Sequence, residues 1–410
     1  MRLGSSMKRT ILCLGTLCAL AAPIGWAGAE EAELSGSVSA EIRFFPKDPK
    51  FADQDDRHFA PSIAAEPEFR WDARDDLRLT VIPFLRYDAA DTEERTHWDL
   101  REANLYYEGE SWDGTAGLGK VFWGVAESRH LVDIINQSDM VEDIDGEDKL
   151  GQPMVNVNFL QDWGTVGLFV LPGFRERTFP GDSARLRGGL PVDEDQTQYE
   201  NGQGKRHVDF AARYAHYFGN WDVGVSHFHG TSREPRFVTV STPDGAALAP
   251  VYDLIDQTGV DLQYTSDAWL WKFEGIRHSG FRTSNSFYAM VGGFEYTLYG
   301  IADSDADLGL LAEYLWDGRD SGAPTTLFDR DVFTGMRLAL NDVQSTEALL
   351  GLVTDTRNGE MLLFAEAERR IGDSLKAEIE GRFFLNADSN SPSASLEDDG
   401  QVTLRLNWYF

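Results

Sequence analysis

Apolar and polar residues alternate with a period of two along most of this chain, and the segment 400–410 shows the pattern most clearly. Val402, Leu404, Leu406, Trp408 and Phe410 fall on one face of a strand, and Thr403, Arg405, Asn407 and Tyr409 fall on the other. Successive side chains point to opposite faces, so such a strand can separate lipid from water. The same alternation predicts strands over 34–44, 62–71, 77–86, 98–108, 114–123, 154–161, 163–172, 207–217, 221–229, 259–265, 268–276, 286–298, 307–317, 331–341, 345–354, 360–369, 374–385 and 400–410. The connections alternate too. Those at 46–61, 87–97, 124–153, 173–206, 230–258, 277–285, 318–330, 355–359 and 386–399 are mostly long, whereas 72–76, 161–162, 218–220, 266–267 and 341–344 are short. The fold class is therefore all-β: a transmembrane antiparallel β-barrel of about eighteen strands, with sixteen as the alternative, long extracellular loops and short periplasmic turns. Closure is required because backbone N–H and C=O groups at membrane depth must be paired, and only a closed sheet has no open edge.

The N-terminus reads as an export signal over 1–29. Lys8 and Arg9 precede the apolar run 11–22, and Ala27-Gly28-Ala29 is a small-x-small cleavage site. Cys13 and Cys18 both lie in that segment, so residues 30–410, the expected barrel domain, contain no cysteine and no disulfide framework. The terminal Phe410, with Trp408 and Tyr409 beside it, resembles the C-terminal recognition signal of Gram-negative outer-membrane β-barrels. Trp408 and Phe410 are accordingly expected to serve as an assembly signal. The segment Gly117-Leu-Gly-Lys-Val-Phe-Trp-Gly124 resembles the glycine-rich strand and Trp-Gly that lead into the third loop of uncharacterised Gram-negative porin-like families. The resemblance implies a bacterial outer-membrane location. It also implies lipid, lipopolysaccharide and the barrel-assembly machinery as partners, with small solutes as cargo.

Composition modifies this picture only slightly. Trp, Tyr and Phe make up 12% of residues, and the mean hydropathy of −0.35 is compatible with a barrel in which only every second strand residue meets lipid. The formal charge is −31, and −34 once Arg2, Lys8 and Arg9 are removed with the signal. Such an acidic balance argues against nucleic acid as a partner. About eight strands close around their own side chains, whereas sixteen to eighteen leave an aqueous channel. Size thus points to a porin or channel for passive or substrate-selective diffusion of small hydrophilic solutes. The alternative is an occluded surface barrel with a structural or adhesive role.

The segment 124–153 is expected to fold into the pore. Its first half has helical spacing, with Leu131, Ile134 and Ile135 on one side, more aliphatic residues than a surface loop usually carries. Its polar residues Arg129, His130, Asp133, Asp139, Glu142, Asp143, Asp145, Glu147, Asp148 and Lys149 are the expected constriction. Opposite them, Arg43, Arg70, Arg78, Arg86, Lys120, Arg213, Arg337, Arg382 and Arg405 are expected on the lumen wall, where Glu41, Glu66, Glu68, Glu102, Asp209, Glu274, Glu313, Glu378 and Glu380 would balance their charge. No cofactor is expected. The acids at 139–148 are dense enough for Ca²⁺, or Mg²⁺ at acidic outer loops, but Asp143-Ile-Asp145-Gly146 does not reproduce EF-hand spacing. His227-Phe-His229 puts two imidazoles on one strand face, as a polar rim would. No catalytic triad, phosphate loop or dinucleotide fingerprint is found, so no enzymatic activity is expected.

Overall fold

The computed structural model describes residues 32–243, 245–389 and 391–410. The segment 1–29 expected to be an export signal, with Cys13 and Cys18, lies outside them. Twenty-one strands run along the described residues: β1 (Ala32–Phe44), β2 (Phe59–Arg74), β3 (Leu77–Asp88), β4 (His97–Glu108), β5 (Trp112–Gly119), β6 (Gln152–Gln161), β7 (Gly164–Pro172), β8 (Gln198–Tyr199), β9 (Val208–Phe218), β10 (Trp221–Thr231), β11 (Arg236–Thr242), β12 (Gly245–Tyr252), β13 (Leu254–Ser266), β14 (Trp269–Ser279), β15 (Phe287–Leu298), β16 (Asp307–Asp317), β17 (Arg330–Ala339), β18 (Glu347–Asp355), β19 (Met361–Ile371), β20 (Leu375–Leu385) and β21 (Gln401–Tyr409). Eighteen of them form one antiparallel sheet, each strand paired with the next, and β8, β11 and β12 form a separate three-stranded sheet. The large sheet closes where β1 meets β21, with Val38 opposite Trp408, Glu41 opposite Arg405 and Phe44 opposite Val402. No described helix is long and apolar enough to cross a membrane.

The alternation explains the wall. Leu404, Leu406 and Trp408 are exposed on the outside, while Thr403 and Asn407 are buried inside. The same division places Leu34, Ile63, Leu85, Leu168, Val225, Met336 and Leu350 on the outer surface. Exposed Trp98, Trp163, Trp221, Trp269, Trp271 and Tyr288 sit near strand ends, where amphipathic rings suit an interface. Most strand ends lie within three residues of the sequence reading, with three larger departures. β5 stops at Gly119 rather than 123, β13 begins at Leu254 rather than 259, and the connection 230–258 contains the hairpin β11–β12. Pro235, Pro243 and Pro250 punctuate that hairpin and make it read as loop. His227 and His229 lie on the outward face near the outer end of β10, where Nδ1 of His229 contacts Asp256 at 2.9 Å and Nδ1 of His227 contacts Thr258 at 2.9 Å.

Phe410 completes the seam: its N–H donates to the Gly36 carbonyl at 3.2 Å, the Gly36 N–H donates back at 3.2 Å, and its ring lies 5.3 Å from that of Trp408. Deleting Phe410, or replacing it with aspartate, is expected to lower the fraction of heat-modifiable, folded barrel in the membrane. Wild-type yield from either variant would remove Phe410 from the assembly signal.

Candidate pore constriction

The third long connection, 120–151, does not project outward. Val132 and Ile135 are fully buried, and Ala126, Leu131 and Ile134 nearly so. They share one apolar cluster with inward-facing wall residues, among them Phe169 and Leu171 on β7, Phe228 on β10, Ile255 on β13, Ile276 on β14, Val291 on β15, Leu311 and Leu315 on β16, and Phe333 on β17. Two wall carboxylates fix the backbone. Glu274 accepts the N–H groups of Val125 (2.7 Å), Ala126 (2.9 Å) and Val132 (3.1 Å). Glu313 accepts those of Glu127 (2.8 Å) and Ser128 (2.8 Å), with the Ser128 hydroxyl at 2.6 Å. Gly124 makes the approach to Glu274 feasible: its φ is +145°, and a Cβ there would lie 3.0 Å from the Glu274 carboxylate and 3.0 Å from His130 Nδ1.

The helix expected in the first half of this loop is absent. Its N–H groups go to Glu274 and Glu313 instead of to carbonyls one turn back. Asn136 further diverts the backbone, because its amide donates to the carbonyls of Gly119 (2.9 Å) and Leu150 (2.8 Å) and its oxygen accepts the Val121 N–H (2.8 Å).

The acidic half meets the arginine wall directly. Arg86 clasps the Glu142 carboxylate at 2.9 and 2.6 Å, and Arg43 donates to the Glu142 carbonyl at 2.6 Å. Arg382 binds Asp143, with Asp145 at 2.9 Å and Glu380 at 2.7 Å. Asp139, fully buried, takes Arg101 at 2.6 Å and the Thr178 hydroxyl at 2.6 Å. Behind them, the buried Glu41 carboxylate is ringed by Arg43 (3.2 Å), Arg86 (3.5 Å), Arg95 (2.9 Å) and Arg405 (2.9 Å). This corrects the expected constriction. Asp139, Glu142 and Asp143 do not face the arginines across a gap but contact them, and they hold the loop to the wall. Of the acids in this stretch, Asp145, Glu147 and Asp148 remain exposed to the lumen. Oxygens of Asp143, Asp145 and Glu380 do lie within 4.8 Å of one another, but the Arg382 guanidinium already occupies the position a Ca²⁺ would need.

The other expected constriction residues are scattered. Arg129 pairs with Asp317 (3.2 Å) and Glu234 (3.8 Å) near the outer mouth. His130 lies 3.5 Å from Glu147 and edge-on to Phe122. Lys149 pairs with Asp133 at 3.1 Å. On the wall, Arg70 (3.0 Å) and Arg78 (2.7 Å) share Asp72, and Arg213 pairs with Asp261 (2.7 Å) above the Trp123 ring. Arg337 reaches Glu127 at 2.7 Å. Lys120 lies just past the end of β5 and has no ion pair within 4 Å among the described residues, although Glu102 feels its charge. Arg95 and Arg101 were not among the residues expected at the site. Arg95 belongs to an outer connection, and Arg101 is the extra residue of a β-bulge opposite Ile82 and Pro83, so strict alternation would point it toward lipid.

The lumen is therefore asymmetric. The β7–β18 side is filled by the apolar cluster. Between the loop and strands β17–β21 lies a cavity of about 330 Å³, with charged lining residues Glu127, Glu347, Glu366, Glu368, Glu378, Glu380, Arg337 and Arg405. The expected charge balance does not hold here. Arg337 and Arg405 are engaged by Glu127, Glu41 and Glu378, whereas Glu347 and Glu366 have no ion pair or hydrogen bond from their side chains among the described residues.

No protein-family model and no curated protein matches the sequence. Among solved structures, OccK11 (OpdR) of Pseudomonas aeruginosa is 10% identical, with a TM-score of 0.51 over 94% of this chain and 99% of that one. Wzi of Escherichia coli, an outer-membrane protein involved in group 1 capsule assembly and a carbohydrate-binding β-barrel, is 10% identical, with a TM-score of 0.50 over 93% of this chain and 84% of that one. The outer-membrane channel DcaP of Acinetobacter baumannii is 12% identical, with a TM-score of 0.46 over 94% of this chain and 98% of that one. At such identities the likeness is one of fold. The chain is an eighteen-stranded, porin-like β-barrel of the outer-membrane type, with its third loop inside the barrel.

Proposed function

We propose that this chain is a bacterial outer-membrane channel through which small hydrophilic solutes diffuse, with a path displaced toward strands β17–β21 and a preference for cations. The observation that carries this reading is the cavity between the third loop and that wall, where glutamates outnumber their basic partners. The two arginines lining this cavity, Arg337 and Arg405, are held in pairs with the loop and the wall, so an ion in transit there meets mainly uncompensated carboxylates. The chain acts on no covalent bond in this reading, and its partners are membrane lipid, lipopolysaccharide, the assembly machinery and the solutes themselves.

A second reading, an occluded surface barrel, has its own support: connection 173–207 packs on the third loop, where Thr178 hydroxyl meets Asp139 and the Gln137 amide donates to the Arg175 carbonyl at 3.4 Å.

Reversal potentials in planar bilayers under a KCl gradient decide between the two. The wild type is expected to conduct and to favour K⁺, and Glu347→Gln with Glu366→Gln should weaken that preference, more so at low salt where screening is slight. Preference should also fall as pH drops through neutrality. Asp148, on the loop rather than on a spanning strand, is pushed up to about 7 by its enclosure within the barrel and by Glu142, Asp145 and Asp143. It is charged above that pH and neutral below it. A folded barrel without conductance would favour the occluded reading, and anion preference in the wild type would overturn the proposed path.

A further inference from the structure

A second acidic feature lies away from the third loop, at the outer ends of β17 and β18. Asp331 and Asp355 are register partners across these strands. Both face inward, and they are only 2% and 9% exposed. Directly opposed side chains on one face of a sheet have Cβ atoms about 4.5–5.5 Å apart. Neither carboxylate forms an ion pair with Lys or Arg among the described residues. The nearby guanidiniums are already engaged, Arg357 by Asp329 and Arg129 by Asp317 and Glu234. Asp355 Oδ1 accepts the N–H of Arg357 at 2.6 Å. Asp331 Oδ2 is buried and has no hydrogen-bond partner among the described residues.

Asp331 and Asp355 line a common cavity of about 30 Å³, whose other polar lining residues are Glu360 and Ser393. Its remaining wall includes Phe328, Val353, Leu362 and Phe384. Two carboxylates side by side in such an enclosure repel, and burial of an unpaired charge is costly. A cavity of this size accommodates an ion or a water or two, since one probe sphere needs roughly 10–15 Å³. Oxygen donors of this kind select hard cations.

We propose that Asp331 and Asp355 hold one hard divalent cation, Ca²⁺ or Mg²⁺, at the outer mouth, with water completing its shell and bridging it to Glu360 across the cavity. Glu360 also accepts the Asp388 N–H (2.6 Å) and the Ser393 hydroxyl (2.8 Å). The ion would therefore tie the last outer connection, 386–400, to the ends of β17 and β18. This site is separate from the third-loop acids, where Arg382 supplies the positive charge.

The test is calorimetric titration of CaCl₂, and separately MgCl₂, into EDTA-treated, lipopolysaccharide-free refolded barrel in detergent. One site is expected in the wild type. It should be lost in Asp331→Asn and in Asp331→Asn/Asp355→Asn, and retained in Asp145→Asn/Glu147→Gln/Asp148→Asn. Asn is nearly isosteric and relieves the repulsion, so these variants should keep heat-modifiable migration, and the single change still reports if the double fails to fold. No binding by the wild type would mean that the two carboxylates share a proton instead, and would overturn the proposal. Unchanged binding in folded Asp331→Asn would place the ion elsewhere and overturn it equally.

Discussion

Replacing Val132 and Ile135 together by aspartate should expel the third loop from the lumen and raise single-channel conductance. Both side chains are fully buried against the inner wall. Each replacement removes apolar burial of about 1.5–3 kcal/mol and adds an unpaired carboxylate whose burial costs roughly several kcal/mol more. The anchors at Glu274 and Glu313 contribute charge-assisted hydrogen bonds of about 1.5–3 kcal/mol each and oppose the release, which is why both positions are replaced together. The strands close without this loop, since every wall pairing is strand to strand. The variant should therefore remain heat-modifiable while trypsin gains access to Arg129 and Lys149. Wild-type conductance from a correctly inserted variant would show that this loop does not limit the path.

Arg86→Met is expected to destabilise the folded barrel by about 3–5 kcal/mol, the usual cost of breaking a buried ion pair from one side. It leaves the Glu142 carboxylate buried without its two-pronged partner, while Glu41 keeps Arg43, Arg95 and Arg405. Adding Glu142→Gln should recover much of the loss, because the stranded charge is then gone. Urea unfolding of the single and double variants measures both terms. A single-variant loss within about 0.5 kcal/mol, typical of an ordinary surface change, would mean that this contact is solvated rather than locked.

The fold was legible because lipid imposes the same demand on every strand. Leu404, Leu406 and Trp408 could be assigned outward from alternation alone, and so could their counterparts on the other seventeen strands. The hairpin β11–β12 escaped because it lies outside the membrane, where nothing enforces an apolar face. The candidate site was legible only in part. Aliphatic residues at 131, 134 and 135 marked a loop that needs a wall to pack on, but helical spacing misled, since it carries no information about Glu274 and Glu313, more than a hundred positions away. Alternation placed Arg86 and Arg382 inside. It could not tell that they touch Glu142 and Asp143 rather than face them across water. Arg101 was hidden by a bulge, a departure from period two that leaves no trace in composition.

The anchoring carboxylates on β14 and β16 follow the third loop in the chain, as do the apolar side chains of β10, β13, β15 and β17 against which it packs. The loop cannot dock fully until those strands have joined the sheet, and its contact with Arg382 waits for β20, the last strand but one. The order of construction is therefore wall first and interior last. Before those strands join, nothing holds the loop across the inner face, so the narrowing of the passage follows the building of most of its wall.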